Sequence, residues 1–248
     1  MKYLYRIYQL FICLPLFLLT TILTATMTVI GCALGAVNFF GYHPGRLWSR
    51  ITIYSLLLPI HVEGREHLKR HQSYVFVANH QGAFDIFIIY GFLGRNFKWL
   101  MKQSLRRIPF VGVACEYARH IFVDKSGPSK IRQTYDRARN ILKGGMSVVV
   151  FPEGSRTRTG AMGRFQRGAF MLADELQLSV VPLTINGSFN VLPRQKDGHF
   201  INWHPLSLTI HEPIPPSGQG TDNIHETMQK SYEAVLEGLA GRGVNDER

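Results

Sequence analysis

The chain has 248 residues, enough for one full hydrophobic core, and its length suits a single α/β domain with an appendage better than two equal domains. Lys and Arg exceed Asp and Glu by 28 − 17 = 11, which points to anionic partners such as nucleic acid, phospholipid headgroups or phosphorylated substrates. The three cysteines, Cys13, Cys32 and Cys115, are odd in number and lack CxxC spacing, which argues against a disulfide framework or zinc cluster and fits a reducing compartment.

In chain order, the first element is an apolar run. Between Arg6 and Arg46 there are 39 residues without Asp, Glu, Lys or Arg. As one helix they would reach roughly 58 Å, nearly twice a bilayer's hydrocarbon core of about 30 Å. Either one helix near Leu16 to Val37 crosses the membrane, or the run folds as a helical hairpin in one leaflet. Tyr3, Tyr5, Tyr8 and Phe11 before it, and Phe39, Phe40, Tyr42 and Trp48 after it, supply interfacial aromatics. A secretory signal would have a shorter apolar region and a small-residue cleavage site, and none follows Thr20. Gly31 and Gly35 form a GxxxG pair suited to close helix packing. Arg46, Arg50, Arg65, Lys69 and Arg70 follow the run closely, so either topology places the remaining domain on the cytoplasmic face. We therefore expect a membrane-embedded segment over residues 1–45 and a catalytic domain over 46–248.

A helix from Trp48 to Leu58 leads to strands at Pro59–Gly64 and Ser73–Ala78. Alternation then sets in: a helix from Asp85, a strand Phe97–Met101, a helix Val111–Arg119, a strand His120–Asp124, and an amphipathic helix Pro128–Lys143. Met146–Phe151 is the clearest buried strand. A Gly- and Arg-rich loop, a helix Phe165–Leu176, strands Ser179–Ile185 and Leu206–His211, and a polar helix Asp222–Leu239 complete the chain. This order predicts an α/β fold with a largely parallel sheet flanked by helices, behind an N-terminal apolar helical anchor.

Two stretches carry chemistry. In Asn79-His80-Gln81-Gly82-Ala83-Phe84-Asp85, His80 and Asp85 would point about 140° apart on a continuous helix and can meet only across a turn, which Gly82 permits. A carboxylate on one ring nitrogen leaves the other bare to accept a proton from a hydroxyl. A helix cap is the plain alternative for Asp85. No G-x-S-x-G elbow is present and Cys115 is embedded in apolar residues, so a base here would act on the substrate's own hydroxyl. The second stretch is Phe151-Pro152-Glu153-Gly154-Ser155-Arg156-Thr157-Arg158-Thr159-Gly160. It follows a buried strand and so shares the rim that carries His80. Arg156 and Arg158, with Arg164 and Arg167 nearby, offer bidentate donors to a phosphate, Gly154 exposes backbone, Ser155 and Thr157 add hydroxyls, and Glu153 is placed to pair an arginine. The plain alternative is a basic surface loop near anionic lipid.

Asn79-His80 with Asp85, followed about 70 residues later by Phe151-Pro152-Glu153-Gly154-Ser155-Arg156, resembles the first and third motifs of the glycerophospholipid acyltransferases, most of all 1-acylglycerol-3-phosphate acyltransferases. Lys102-Gln103-Ser104-Leu105 through Ile108-Pro109-Phe110-Val111-Gly112 resembles the second motif, and Val180-Val181-Pro182-Leu183 the fourth. The likeness covers roughly Ile60 to Ile185. One departure is Phe122-Val123-Asp124-Lys125, where the family commonly has a phosphate-binding arginine: Lys125 keeps the charge and loses the fork.

The resemblance implies that His80, polarised by Asp85, deprotonates the sn-2 hydroxyl of lysophosphatidic acid, which attacks the thioester of acyl-CoA or acyl-carrier protein. Phosphatidic acid and a thiol are the products. Lys102, Lys125 and Arg156 would bind the glycerol phosphate, and Glu153, Gly154 and Ser155 would shape its pocket. Neither a cofactor nor a metal is implied, and His61, His67, His71 and His120 lack ligand spacing. Alternatives are another acceptor, such as a different lysophospholipid or a lyso-ornithine lipid, and a non-catalytic module that binds anionic lipid. A nucleic-acid module would carry aromatic residues among basic ones on an exposed sheet, and the basic cluster lies in a Gly-rich loop instead.

Overall fold

The computed structural model describes residues 2–124, 126–143, 145–194 and 200–240. Its first element is one long helix, α1 (Lys2–Ala33), of 32 residues, whose most apolar window has a mean hydropathy of 2.2 and is 11% buried. The stretch Gln9–Cys13 within it is wound as π-helix. Gly35, at φ +94°, reverses the chain, a single helical turn Val37–Phe40 follows, and α2 (His43–Ser55) runs back along α1. The N-terminal run is therefore the first arm of a helical hairpin whose second arm continues into charged sequence. Polar side chains fasten the arms: Trp48 Nε1 donates to Thr21 Oγ1 at 2.9 Å, Tyr8 OH to the Ser55 carbonyl at 2.8 Å, and Tyr5 OH to the Leu56 carbonyl at 2.7 Å. Among apolar side chains such bonds face little competition from water and give the pairing a register.

The strands are β1 (Ile60–Glu63), β2 (Val75–Ala78), β3 (Phe97–Lys102), β4 (Ile121–Val123), β5 (Ser147–Val150), β6 (Val180–Asn186) and β7 (Leu206–Ile210). They form one seven-stranded sheet in the order β1-β7-β6-β2-β5-β3-β4. From β6 to β4 the pairing is parallel; β7 runs antiparallel to β6, and β1 pairs parallel with β7. The expected largely parallel sheet is present, with a reversed pair at one edge.

Helices cover both faces, as a parallel sheet requires. The connecting helices are α3 (Asp85–Phe92), α4 (Val111–Tyr117), α5 (Pro128–Lys143), α6 (Gly168–Leu176) and α7 (Thr221–Ala240). Phe76, Val149 and Val181 point to one core with Ile53 of α2 and Ile88, Ile89 and Phe92 of α3. Their neighbours Val75, Val77, Val148, Val150 and Val180 point to the other, with Ala138 and Leu142 of α5 and Phe170, Leu172 and Ala173 of α6. The hairpin joins the domain through α2. Gly45 lies so close to the Tyr90 ring that a Cβ would sit 2.0 Å from it, and Arg50 Nε donates to the Gly91 carbonyl at 2.8 Å.

Two local differences from the sequence reading stand out. The helix expected from about Phe165 starts at Gly168; just ahead of it the Gln166 N–H donates to the Pro152 carbonyl at 2.9 Å, tying the segment to the loop. The stretch Gln103–Arg107 after β3 is a 3₁₀ helix, too short to leave a periodic signature.

Candidate active site

The carboxyl ends of the parallel strands share one rim, because β2 pairs with β5 through Val77↔Val150, β5 with β3 through Val149↔Trp99, and β3 with β4 through Lys102↔Val123. Open α/β sheets carry their chemistry on this rim. His80 leaves it from β2, the 151–167 loop from β5, and Lys102 from β3.

Asn79 fixes the starting point. Fully buried, its amide donates to the Ile185 carbonyl at 2.9 Å and its side-chain oxygen accepts the Ile185 N–H at 2.8 Å. The chain then turns, and His80 Nδ1 meets Asp85 Oδ2 at 2.7 Å. The same oxygen accepts the Gly82 N–H at 2.9 Å. Asp85 is completely buried at the first turn of α3, and the His80 side chain is 15% exposed. Two N–H donors and the N-terminal end of α3 therefore converge on this side chain. With the carboxylate accepting from Nδ1–H, the lone pair is on Nε2, the nitrogen left to take a proton. Asp85 is thus both the first residue of its helix and the partner of the imidazole.

The second stretch grips His80 by its backbone. Glu153 Oε1 accepts the His80 N–H at 2.6 Å and Oε2 accepts the Gly163 N–H at 2.7 Å, while the His80 carbonyl accepts the Thr157 N–H at 2.9 Å. Glu153 therefore spends both oxygens on backbone donors rather than on an arginine. Burial pushes its carboxyl above the usual range. The His80 ring stacks on Phe151 at 3.9 Å and 11°, and Phe151 stacks on Trp99 at 5.7 Å and 20°. These rings come from three adjacent strands, β2, β5 and β3, and stop the imidazole from tilting.

Beyond Glu153 opens a cavity of about 460 Å³ lined by Arg156, Arg158, Arg164 and Arg194 together with Ser155 and Thr157. Four guanidiniums against one carboxylate give it the charge and the forked donors that an anion would need. Gly154 turns at φ +75° with nothing within 4 Å of where a Cβ would be, so its backbone is open to a ligand. Arg194 was not among the residues expected here; its Nη1 donates to the Arg156 carbonyl at 2.8 Å, and it comes from the segment that follows β6, a long-range approach with no local sequence signal. Lys102 ends β3 on the same rim but does not line this cavity. Arg167 sits at the start of α6, also outside it. Lys125 lies outside the described residues. Of the other histidines, His120 is buried and held neutral, its pKa pushed down to about 3 by burial, with Nδ1 accepting the Trp99 N–H at 3.2 Å. Among the described residues no group of three His, Cys, Asp or Glu side chains is placed to hold a metal.

Residues 59–186, about half of the chain, match the Acyltransferase family. A chloroplastic 1-acyl-sn-glycerol-3-phosphate acyltransferase of Arabidopsis thaliana is 33% identical over 71% of this chain and 49% of its own length. The human alpha form of 1-acyl-sn-glycerol-3-phosphate acyltransferase is 28% identical over 86% of this chain and 75% of its own. The chain thus spans about half the length of the plant relative and three quarters of the human one. The crystal structure of PlsC from Thermotoga maritima, a 1-acyl-sn-glycerophosphate acyltransferase, superposes with a TM-score of 0.68 at 26% identity, covering 90% of this chain and 95% of that one. The His–Asp pair, the arginine-lined loop packed against it and these likenesses converge: the chain belongs to the acyltransferase family.

Proposed function

We propose that this chain is a 1-acyl-sn-glycerol-3-phosphate O-acyltransferase. The observation that carries the reading is His80 Nδ1 held at 2.7 Å by a buried Asp85, on a backbone gripped by a loop whose other side is an arginine-lined cavity. His80 Nε2 takes the proton of the sn-2 hydroxyl as that oxygen attacks the thioester carbonyl of acyl-CoA or acyl-carrier protein. The C–S bond breaks, the proton passes from His80 to the thiolate, and phosphatidic acid and a free thiol leave. Arg156 and its neighbours bind the phosphate of lysophosphatidic acid, and the family resemblance gives Lys102 and Lys125 a share in that role. Ser155 and Gly154 shape the pocket, while Glu153 holds the loop and His80 together. No serine or cysteine intervenes between the hydroxyl and the acyl group.

The hairpin of α1 and α2 holds the domain at the membrane where a lysophospholipid resides, with the domain on the cytoplasmic face, as Arg46, Arg50, Arg65, Lys69 and Arg70 favour. Mass analysis of products from the full-length protein, offered acyl-CoA or acyl-carrier protein and a panel of lysolipids, tests the substrate. Lysophosphatidic acid should be the preferred acceptor; preference for lyso-ornithine lipid or another lysophospholipid would reassign it. His80→Ala should lower turnover by about 10²–10⁴-fold with lysolipid binding retained. Unchanged product formation would leave a lipid-binding module as the reading instead.

A further inference from the structure

Helix α4 displays an apolar face that the domain leaves uncovered. Val113 and Tyr117, four residues apart, share one face of the helix, and they and the N-cap residue Phe110 are 50%, 44% and 56% exposed; Ile108 beside them is 43% exposed. The opposite side of the helix is committed: Gly112 is pressed against the Arg106 carbonyl, 2.1 Å from where a Cβ would lie. Phe110 is also held at φ +61°, ψ −51°, a conformation that a bulky L-residue rarely adopts and that glycine would take at little cost. Neither backbone preference nor burial accounts for an aromatic ring at that position. A partner outside the chain does.

The location identifies the partner. α4 packs against α1, the long apolar helix, and Ala118 at the end of α4 meets Gly41 in the turn of the hairpin, its Cα 3.3 Å from where a Cβ on that glycine would stand. The exposed residues therefore belong to a helix that is itself packed on the anchor. Basic residues border them. Arg106 is paired with Glu116, whereas Arg107 and Arg119 have no acidic partner among the described residues. Apolar residues ringed by arginine suit the boundary between acyl chains and anionic headgroups.

We propose that Ile108, Phe110, Val113 and Tyr117 form a second membrane contact, an interfacial wedge that enters the leaflet beside α1 and sets the tilt of the catalytic rim against the bilayer. The proposal rests on the reading of the hairpin as a membrane anchor. It also gives Lys102, which starts the segment leading to the wedge, a place just above the lipid surface.

The test uses the full-length protein and its Phe110→Trp variant with vesicles of phosphatidylcholine and phosphatidylglycerol, plain or brominated on the acyl chains. Both proteins should float with the vesicles. The emission added by the substitution should shift to the blue on binding and be quenched by the brominated lipid. Flotation without shift or quenching overturns the wedge while the anchor stands. A protein that stays at the bottom of the gradient overturns the anchor and the wedge together. A signal that answers to acyl-carrier protein and not to vesicles reassigns the face to a protein partner. In a second arm, Val113→Asp should weaken vesicle partition roughly tenfold with an unchanged melting temperature and unchanged turnover of a water-soluble short-chain acceptor. Ile131→Asp, an exposed apolar position on α5, is the control and should change neither; equal loss in both variants also refutes the wedge.

Discussion

At the scale of single residues, the unusual feature of His80 is how little of its placement depends on its own side chain. Its N–H, its carbonyl and its ring face are each held by the 151–157 segment, so that segment positions the imidazole as well as lining the arginine-rich cavity. Glu153→Gln keeps the size but leaves one acceptor oxygen for two N–H donors. We expect kcat to fall about tenfold, equivalent to about 1.4 kcal/mol from one charge-assisted hydrogen bond, with KM nearly unchanged. Steady-state kinetics decide it, since a substrate ligand at this position would raise KM instead. Lys98 makes the opposite kind of demand. It is 3% exposed, its Nζ has no hydrogen-bond partner among the described residues, and burial pushes its pKa down from 10.5 to about 8. A depressed lysine means that the unfolded chain binds the extra proton. The cost to the fold is full below about pH 8 and is relieved as pH rises towards 10.5. Lys98→Met should therefore raise stability at neutral pH by about 1–3 kcal/mol. Thermal melts at a series of pH values should show the gap closing between pH 8 and 10.5; a gap independent of pH would rule the explanation out.

At the scale of elements, the hairpin depends on two close approaches that only glycine allows. Gly31 on α1 lies against the Phe40 ring, with a Cβ position 2.0 Å from its Cγ, and Gly45 on α2 lies against Tyr90. The first closes the hairpin and the second docks it on α3. Gly31→Val would force the turn Val37–Phe40 away from α1, and overpacking of this kind costs about 1–3 kcal/mol. In detergent the melting temperature should drop by about 2–4 °C for each kcal/mol. A variant that melts with the parent would show that the turn yields freely. The π-wound stretch Gln9–Cys13 belongs to the same fit: within it, Gln9 exchanges two hydrogen bonds with the Ile201 backbone, at 2.7 and 2.9 Å, and Cys13 Sγ reaches the Ser55 carbonyl. The widened turn falls where α1 fastens to the domain.

For the whole molecule, two forces act towards a membrane. The formal charge of +11 attracts an anionic surface, while α1 exposes most of a strongly apolar helix. They differ in their response to salt. Each surface cation contributes about 1 kcal/mol and is screened, whereas burial of apolar area is not. Vesicle flotation should therefore persist at about 0.5 M NaCl, where the screening length is only a few ångströms. Release at that salt would mean that charge, not the helix, carries the attachment.

Much of this protein was legible in its sequence because the determining signals are local. The alternation of apolar strands and helices set the α/β class, since a strand buried on both faces reads as an uninterrupted apolar run. Spacing alone showed that His80 and Asp85 could meet only across a turn, leaving a helix cap as the alternative, and the buried strand before each motif assigned both to one rim. What spacing does not encode is contact between distant segments. That Glu153 serves the His80 backbone instead of an arginine, that Phe151 and Trp99 stack beneath the imidazole, and that Arg194 completes the arginine-lined cavity all depend on which strands are neighbours. The return of α2 along α1 is of the same kind, because apolar character records only that a helix avoids water. Its partner is chosen by shape, at Gly31 and Gly45, and shape exists only once the chain has folded.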